Sequence, residues 1–294
     1  MNTIQKSFIQ MHIAVFLWGF TAVLGKLISL STLPLVWWRV VITTLSLTFL
    51  LNKYSLIKRV DSKTKLKIIG IGFLVGIHWL CFYGSVKLSN SSIAVICMAT
   101  VSFMTSIIEP IFFRKKVQWK EILLGLLILP GMLLIVKTNL NWISGIIVGL
   151  IGALIAAIFS VLNKKVVATT DPLSVTFLEI SGVLILTSLI LPIYYYFFPA
   201  EDFIPSSVDW IYLLILSLVC TSLPFLLSMM SLRHISTFSS NFILNLEPVY
   251  GILLAWFILN ENEDLSPQFY WGVILIMGVV FGYSMLTRNR SALK

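Results

Sequence analysis

Arg39, Glu109, Glu179 and Glu247 each interrupt a run of otherwise apolar residues. In hydrocarbon a charge at a helix centre costs roughly 2.5–3.5 kcal/mol on insertion scales, so each needs a partner or a task. Glu247 falls about 16 Å into its run, counted at about 1.5 Å per helical residue, near a bilayer midplane. Its neighbour Pro248 cannot donate to the carbonyl of Leu244, so a kink and a freed acceptor are expected there. A midplane carboxylate suits proton binding, which makes Glu247 the proton-coupling candidate; a structural carboxylate is the alternative. Arg39 falls about 8 Å from one end of its run and Glu179 about 10 Å from the opposite end. In a core about 30 Å thick their axial gap is roughly 12 Å, spannable only through water or a substrate. A guanidinium facing a vestibule holds a carboxylate bidentately; snorkelling to headgroups is the other reading. Glu109 sits near a helix end just before Arg114 and Lys115, which reads as a charge cluster, and Lys26 and Lys164 close their helices and are expected to snorkel.

Rings and small polar groups would form the walls around these charges. Trp18, Thr21 (or Ala22) and Gly25 make a stripe, and Trp79 and Tyr83 lie one turn apart beside His78. At about 100° per residue, Ser236, Ser240, Glu247, Tyr250 and Gly251 share one broad face, and Asn241, Asn245 and Pro248 another. The Glu247 face is expected to line a cavity and the other to pack on a neighbour. The expected substrate-binding residues are therefore Trp18, Thr21, Arg39, Trp79, Tyr83, Glu247 and Tyr250. Rings with polar edges suit an amphipathic metabolite or a cation.

Several chemistries lack their residues. Cys81, Cys97 and Cys220 have neither metal nor disulfide spacing, so no metal or other cofactor is expected. The phosphate-binding pattern GxxxxGK[ST] is absent, as are HExxH, GxSxG and paired Asp-rich motifs. An intramembrane enzyme acting on lipid or prenyl substrates is the alternative function, and it would need such a constellation.

The elements that must position these residues follow from composition. The 294 residues are 58% hydrophobic and only 11% charged, against about 25% charged in an ordinary soluble domain. Apolar stretches recur over 8–29, 35–52, 66–85, 91–113, 119–137, 143–163, 173–197, 208–230, 236–259 and 267–287. They are too long and too continuous for barrel strands, so they read as transmembrane helices. Met1 to Leu30 has no small-residue cleavage site and reads as a retained first helix. The net charge of +9 would suggest nucleic acid on a soluble chain; here its placement sets orientation instead. Lys53, Lys58, Arg59, Lys63, Lys65, Lys67, Arg114, Lys115, Lys116, Lys120, Lys164, Lys165, Arg288, Arg290 and Lys294 share one side, while Glu201, Asp202, Asp209, Glu261, Glu263 and Asp264 share the other with Lys87 and Lys137. Both termini are then expected in the cytoplasm.

The chain also repeats. Lys26 and Pro34 recur 138 residues on as Lys164 and Pro172; Lys87-Leu88-Ser89 resembles Arg233-His234-Ile235-Ser236 at a shift of 146; Gly125 and Gly131 recur as Gly272 and Gly278 at 147. Five spans per repeat is an odd number, so residues 1–138 and 139–294 are expected to be two five-helix units inverted relative to one another, the layout that places a site between rocking halves. Glycine pairs Gly72/Gly76, Gly145/Gly149 and Gly278/Gly282 would allow close helix contacts.

Trp18-Gly19, Pro34-Leu35 followed by Arg39, Lys87-Leu88-Ser89-Asn90-Ser91-Ser92 and Leu246-Glu247-Pro248, in this order within a five-plus-five layout, resemble the EamA family of the drug/metabolite transporter superfamily across essentially the whole chain. The resemblance implies an inner-membrane transporter, commonly an exporter of small metabolites. Its partners would be a small-molecule substrate and the lipid bilayer, not nucleic acid. One departure stands out: Ser102 occupies the place of Pro248 in the first repeat, and Glu109-Pro110 comes later in that helix, so the two helices are not expected to act symmetrically.

Overall fold

The computed structural model describes residues 2–54, 57, 60–127, 130, 131, 134, 140–261, 265–275 and 277–279. Among these the fold is helical throughout, with ten helices in chain order: α1 (Thr3–Leu27), α2 (Thr32–Tyr54), α3 (Ser62–Leu88), α4 (Ser91–Phe113), α5 (Trp119–Leu126), α6 (Ile143–Val167), α7 (Pro172–Phe197), α8 (Ser207–Leu232), α9 (Thr237–Leu259) and α10 (Pro267–Val279). Eight of them, all but α5 and α10, are long and apolar enough to cross a bilayer. Much of the expected fifth and tenth spans lies outside the described residues, as do Lys58, Arg59, Lys137, Glu263, Asp264, Gly282, Arg288, Arg290 and Lys294. The fold is thus the all-α multi-pass bundle that the apolar runs imply.

Helix ends are set by caps, which hydropathy does not register. Asn2 accepts from the Gln5 amide at 2.8 Å while the Gln5 side chain accepts from the Asn2 amide, so α1 starts at Thr3 and not near residue 8. Asp61 accepts from the Thr64 amide at 3.0 Å, and its bonds to Thr64 hold the Asp61 carboxyl below the usual carboxylate range. Asn90 caps α4, Asp171 with Pro172 at the first turn opens α7, Ser206 and Asp209 form a capping box on α8, and Ser236 caps α9.

The packing keeps the symmetry of an inverted repeat. Helix α3 packs on α6 and α7, and α8 packs on α1 and α2; α4 packs on α6, and α9 on α1; α2 meets α7 and α4 meets α9. Exchanging α1–α4 with α6–α9 returns the same set of neighbours. At the α3–α7 crossing the backbones touch: a Cβ on Gly72 would meet the Glu179 carbonyl, and one on Gly182 the Ile69 carbonyl. Gly145 and Gly149 likewise face Ser89, Ser85 and Cys97, whereas Gly278 meets nothing within 4 Å among the described residues.

Helices α4 and α9 share a finer resemblance. Each has an eight-residue first half (Ser91–Met98, Thr237–Leu244), a two-residue break, and a thirteen-residue second half (Val101–Phe113, Glu247–Leu259). Each ends on a left-handed residue, Arg114 with φ 51° and Asn260 with φ 53°. At the breaks the amides shift to bonds three residues back: Ala99 to Ile96 and Thr100 to Cys97, Asn245 to Phe242 and Leu246 to Ile243. Pro248, lacking an N–H, explains the break in α9. Helix α4 has no proline there, yet the Thr100 hydroxyl donates to the Cys97 carbonyl at 2.7 Å and Ser102 to that of Ala99 at 3.3 Å, so hydroxyls take up carbonyls in the broken turn. The two helices are therefore alike in backbone despite the Ser102-for-Pro248 departure.

Candidate functional site

A cavity opens between the two halves, lined from α1, α2, α3, α4, α6, α8 and α9. Its charged lining comes from Arg39 on α2 and Glu247 on α9. Arg39 is only 2% exposed. Its Nε donates to Thr221 Oγ1 and its Nη1 to the Tyr83 hydroxyl, both at 2.8 Å, while the guanidinium carbon lies 3.9 Å from the Trp79 ring centroid and 5.4 Å from that of Tyr83. Bonds to a charged group contribute roughly 1.5–3 kcal/mol each, and a desolvated cation–π contact about 2 kcal/mol. Arg39 is thus a fixed cation inside the bundle, and the snorkelling reading is corrected.

Thr221 reaches Arg39 from a stretch of π-helix, Ile215–Ser222, inside α8. Pro224 cannot donate to the Cys220 carbonyl, and a π-turn is one way a helix absorbs such a loss. The widened turn lets Thr221 Oγ1 bond the Leu216 carbonyl at 2.6 Å and frees the Ser217 carbonyl to accept from Thr43 at 3.3 Å.

Glu247 begins the second half of α9, lines the cavity, and makes no hydrogen bond or ion pair among the described residues. Ser240, Asn241 and Leu244 line the cavity from the first half of the same helix. Asn241 also donates to Thr105 at 2.7 Å and Asn245 to Ser102 at 2.9 Å, so the asparagine face packs on α4 as expected. The walls are Trp18, Thr21, Trp79, Phe82, Phe159 and Phe225, with Met11, Met98 and Met229. His78 also lines the cavity and bonds the Gly152 carbonyl through Nδ1 at 2.9 Å.

The structure brings Trp18, Thr21, Arg39, Trp79 and Glu247 to the cavity and leaves two expected residues out of its lining. Tyr83 is fully buried one layer behind, against Gly25, where it holds Arg39. Tyr250 packs on α1, with its ring 5.3 Å from that of Phe16 and its Cβ against Gly19. Tyr250 and Glu247 both belong to the unbroken stretch Glu247–Leu259; three positions apart, at about 3.6 residues per turn, they lie roughly 60° apart, enough for Tyr250 to meet α1 while Glu247 faces the cavity. Arg39 and Glu179 do not bond each other; Glu179 Oε2 accepts instead from Asn163 Nδ2 at 3.2 Å.

Polar clusters close the bundle above and below. On the side where α1 begins, here the N side, Glu109 Oε2 accepts from the Phe238 amide at 2.8 Å and Glu109 Oε1 lies 3.7 Å from Lys115 Nζ. Lys164 Nζ donates to the Leu232 and Ile235 carbonyls at 2.7 Å each, which corrects the snorkelling expectation for it; Lys26 is exposed. On the far side Glu261 accepts from the Ser91 amide at 2.9 Å, the Ser92 amide at 3.0 Å and the Ser92 hydroxyl at 2.7 Å. Lys87 donates to the Ile28 carbonyl at 2.6 Å, and Asp209 accepts from the Ser29 amide and hydroxyl at 2.7 and 2.6 Å. An acidic residue near the end of α4 thus caps the start of α9, and one just past the end of α9 caps the start of α4.

Sequence reasoning missed Thr221 and Asn163. Pro224 within an apolar run signals the first, and a lone amide in the sixth span signals the second.

Known proteins agree with this architecture. The family model described as the EamA-like transporter family matches residues 5–137 and again 143–285. The uncharacterized transporter YxxF of Bacillus subtilis (strain 168) is 25% identical over 284 residues, covering 92% of this chain and 88% of the relative. A protein known from a crystal structure superposes with a TM-score of 0.71 at 14% identity, over 97% of this chain and 99% of that one, and so shares the fold. With two family matches spanning nearly the whole of an all-helical bundle, the chain belongs to the EamA-like transporter family.

Proposed function

We propose that this chain exports a small amphipathic metabolite across the inner membrane by alternating access, with both termini in the cytoplasm. The observation that carries the reading is a single arrangement: a ring-walled cavity between two inverted halves, holding Arg39 and Glu247, with a polar latch at each end. The rocking units are residues 1–138 and 139–294. Opening the N side requires parting Glu109 from Phe238, while Lys164 and the Leu232–Ile235 corner move together within the second unit; opening the far side requires parting Glu261 from Ser91 and Ser92. Trp18, Thr21 and Trp79 contact the solute, Arg39 attracts its anionic or electron-rich end, and Tyr83 acts by holding Arg39. Glu247, cavity-facing and unbonded, is the group through which a proton gradient would drive the cycle.

A thermal-shift panel of amino acids, sugars, nucleotides and amines, followed by flux of each hit in proteoliposomes, tests the reading, because a solute that binds the folded form raises its melting temperature. Hits are expected to vanish in Trp18→Ala and Glu247→Gln and to persist in Tyr250→Phe. Flux through Glu247→Gln with unchanged pH dependence would remove Glu247 from coupling, and product formation without flux would replace the transport reading with an enzymatic one.

A further inference from the structure

Glu179 lies in the eighth position of α7, fully buried, and among the described residues no basic group compensates it. On α3 the contact is the Gly72 backbone, and His78 is engaged with Gly152. Arg39 of α2 is turned to Tyr83 and Thr221, and Lys164 of α6 to the Leu232 and Ile235 carbonyls. On α8, Cys220 is buried beside Arg39 and Arg233 is exposed. What Glu179 has is Asn163: the amide Nδ2 donates to Oε2 at 3.2 Å. Among the described residues Glu179 Oε1 and Asn163 Oδ1 are both buried without a hydrogen-bond partner, and Asn163 lines the cavity.

Two unpaired acceptors around one weak donor are what this cluster holds when Glu179 is ionised. A proton on the carboxyl removes the buried charge and adds a donor. If the Asn163 amide then turns over, its oxygen accepts that proton's bond and its NH2 group becomes the free end. We propose that Glu179 and Asn163 form a second protonation site, beside the cavity and separate from Glu247, whose state sets whether Asn163 shows the solute an acceptor or a donor. The ionised form offers the amide oxygen and the protonated form offers the amide NH2, so proton and solute report to each other through one side chain. This rests on the transport reading for its purpose, but not for its detection.

The test is infrared difference spectroscopy of the full chain in lipid vesicles, titrated with pH in potassium buffer, alongside tryptophan fluorescence, to which Trp18 and Trp79 of the cavity contribute. Expected are a protonated-carboxyl band lost on alkaline titration, absent in Glu179→Gln and retained in Glu247→Gln, and a fluorescence step at the same midpoint that Glu179→Gln abolishes. Asn163→Leu, which removes the donor to the ionised form, should raise proton affinity about tenfold, since bonds to charged acceptors are the stronger ones; it also serves if Glu179→Gln does not fold. A band that survives in the double variant Glu179→Gln/Glu247→Gln at the midpoint seen in Glu247→Gln overturns the proposal, as does a titration indifferent to Asn163→Leu. A midpoint that moves when sodium replaces potassium overturns it in favour of a metal-ion site. Titration without any solute flux would sink the transport reading and leave this site standing.

Discussion

Glu261 is 5% exposed and takes three hydrogen bonds from the first residues of α4, two from amides that no helical turn can satisfy. Glu261→Ala leaves the Ser91 and Ser92 amides buried and unpaired in the closed far side, while in an opened far side water would satisfy them. At roughly 1–3 kcal/mol for each orphaned group, and with the lost carboxylate–helix interaction worth about 0.3–1 kcal/mol, closure weakens by about 3 kcal/mol, roughly a hundredfold in population at 1.4 kcal/mol per decade. The assay is thiol labelling. Thr21→Cys places a near-isosteric reporter on the cavity wall, 4% exposed, in a background where Cys81, Cys97 and Cys220 are replaced. A membrane-impermeant maleimide confined to the far side should label this reporter about a hundredfold faster with Glu261→Ala, and by an intermediate factor with Glu261→Gln, which keeps one acceptor. The matching change on the N side, Glu109→Ala, should slow far-side labelling, since it favours opening of the other mouth. Equal labelling rates, within twofold, in the parent and Glu261→Ala would refute the assignment of Glu261 as a latch.

Four further outcomes follow from the same contacts. Tyr83→Phe and Thr221→Val each orphan a donor of Arg39, and each should lower thermal stability by about 1–3 kcal/mol, with a double mutant that departs from additivity because both act on one guanidinium. Gly72→Ala drives a Cβ into the Glu179 carbonyl and should reduce the yield of monodisperse protein on size exclusion, whereas Gly278→Ala, with no described residue within 4 Å, should be neutral or stabilise by roughly 0.5–1 kcal/mol. Ser102→Pro enters a helix already broken at 99–100, so by melting temperature it should cost only about 1–3 kcal/mol for the orphaned Asn245 amide; Ile155→Pro, inside the unbroken α6, should cost about 3 kcal/mol or more. Asp61, whose carboxyl is held below its usual range by Thr64, contributes stability above the ordinary carboxylate range and loses it as pH falls through the lowered value; Asp61→Ala should therefore melt below the parent near neutral pH and converge with it in acid.

The apolar runs were sufficient to read the helices, their order and their inversion, because each run is long, continuous and separated from the next by charge. The cavity was legible where a residue type is costly in lipid: Arg39 and Glu247 stand out because nothing else in their runs is charged, and both line it. What failed were inferences that a helical wheel alone cannot carry. Tyr250 shares the unbroken stretch Glu247–Leu259 with Glu247 but sits roughly 60° round from it, and only the neighbouring α1 decides that it meets Phe16 and not the cavity. Thr221 was invisible for another reason, since it belongs to a π-turn that carries it to Arg39 of α2. Lys164 illustrates a different limit. A lysine at a helix end has two ways to satisfy its ammonium, lipid headgroups or bare carbonyls, and only the tertiary fold shows that the Leu232–Ile235 corner is within reach.

The two halves agree in backbone more closely than in side chains, and this difference bears on mechanism. Helices α4 and α9 break at equivalent turns, one through Pro248 and the other through hydroxyls, so the bend belongs to the fold and not to a particular residue. Charge, by contrast, is distributed unequally: α2 carries Arg39 and α7 carries Glu179, each the eighth residue of its helix, while α9 carries Glu247 where α4 has Val101. A strictly symmetric bundle would offer the same surroundings to a solute and a proton from either side. With the cation nearer the far side and the unpaired carboxyl near the middle of α9, the proposed open forms would differ in their surroundings, and a ligand can shift an equilibrium only by its differential affinity for the two states. On the proposed transport reading, direction would then be set by the residues in which the repeats differ, while the shared backbone would supply the motion.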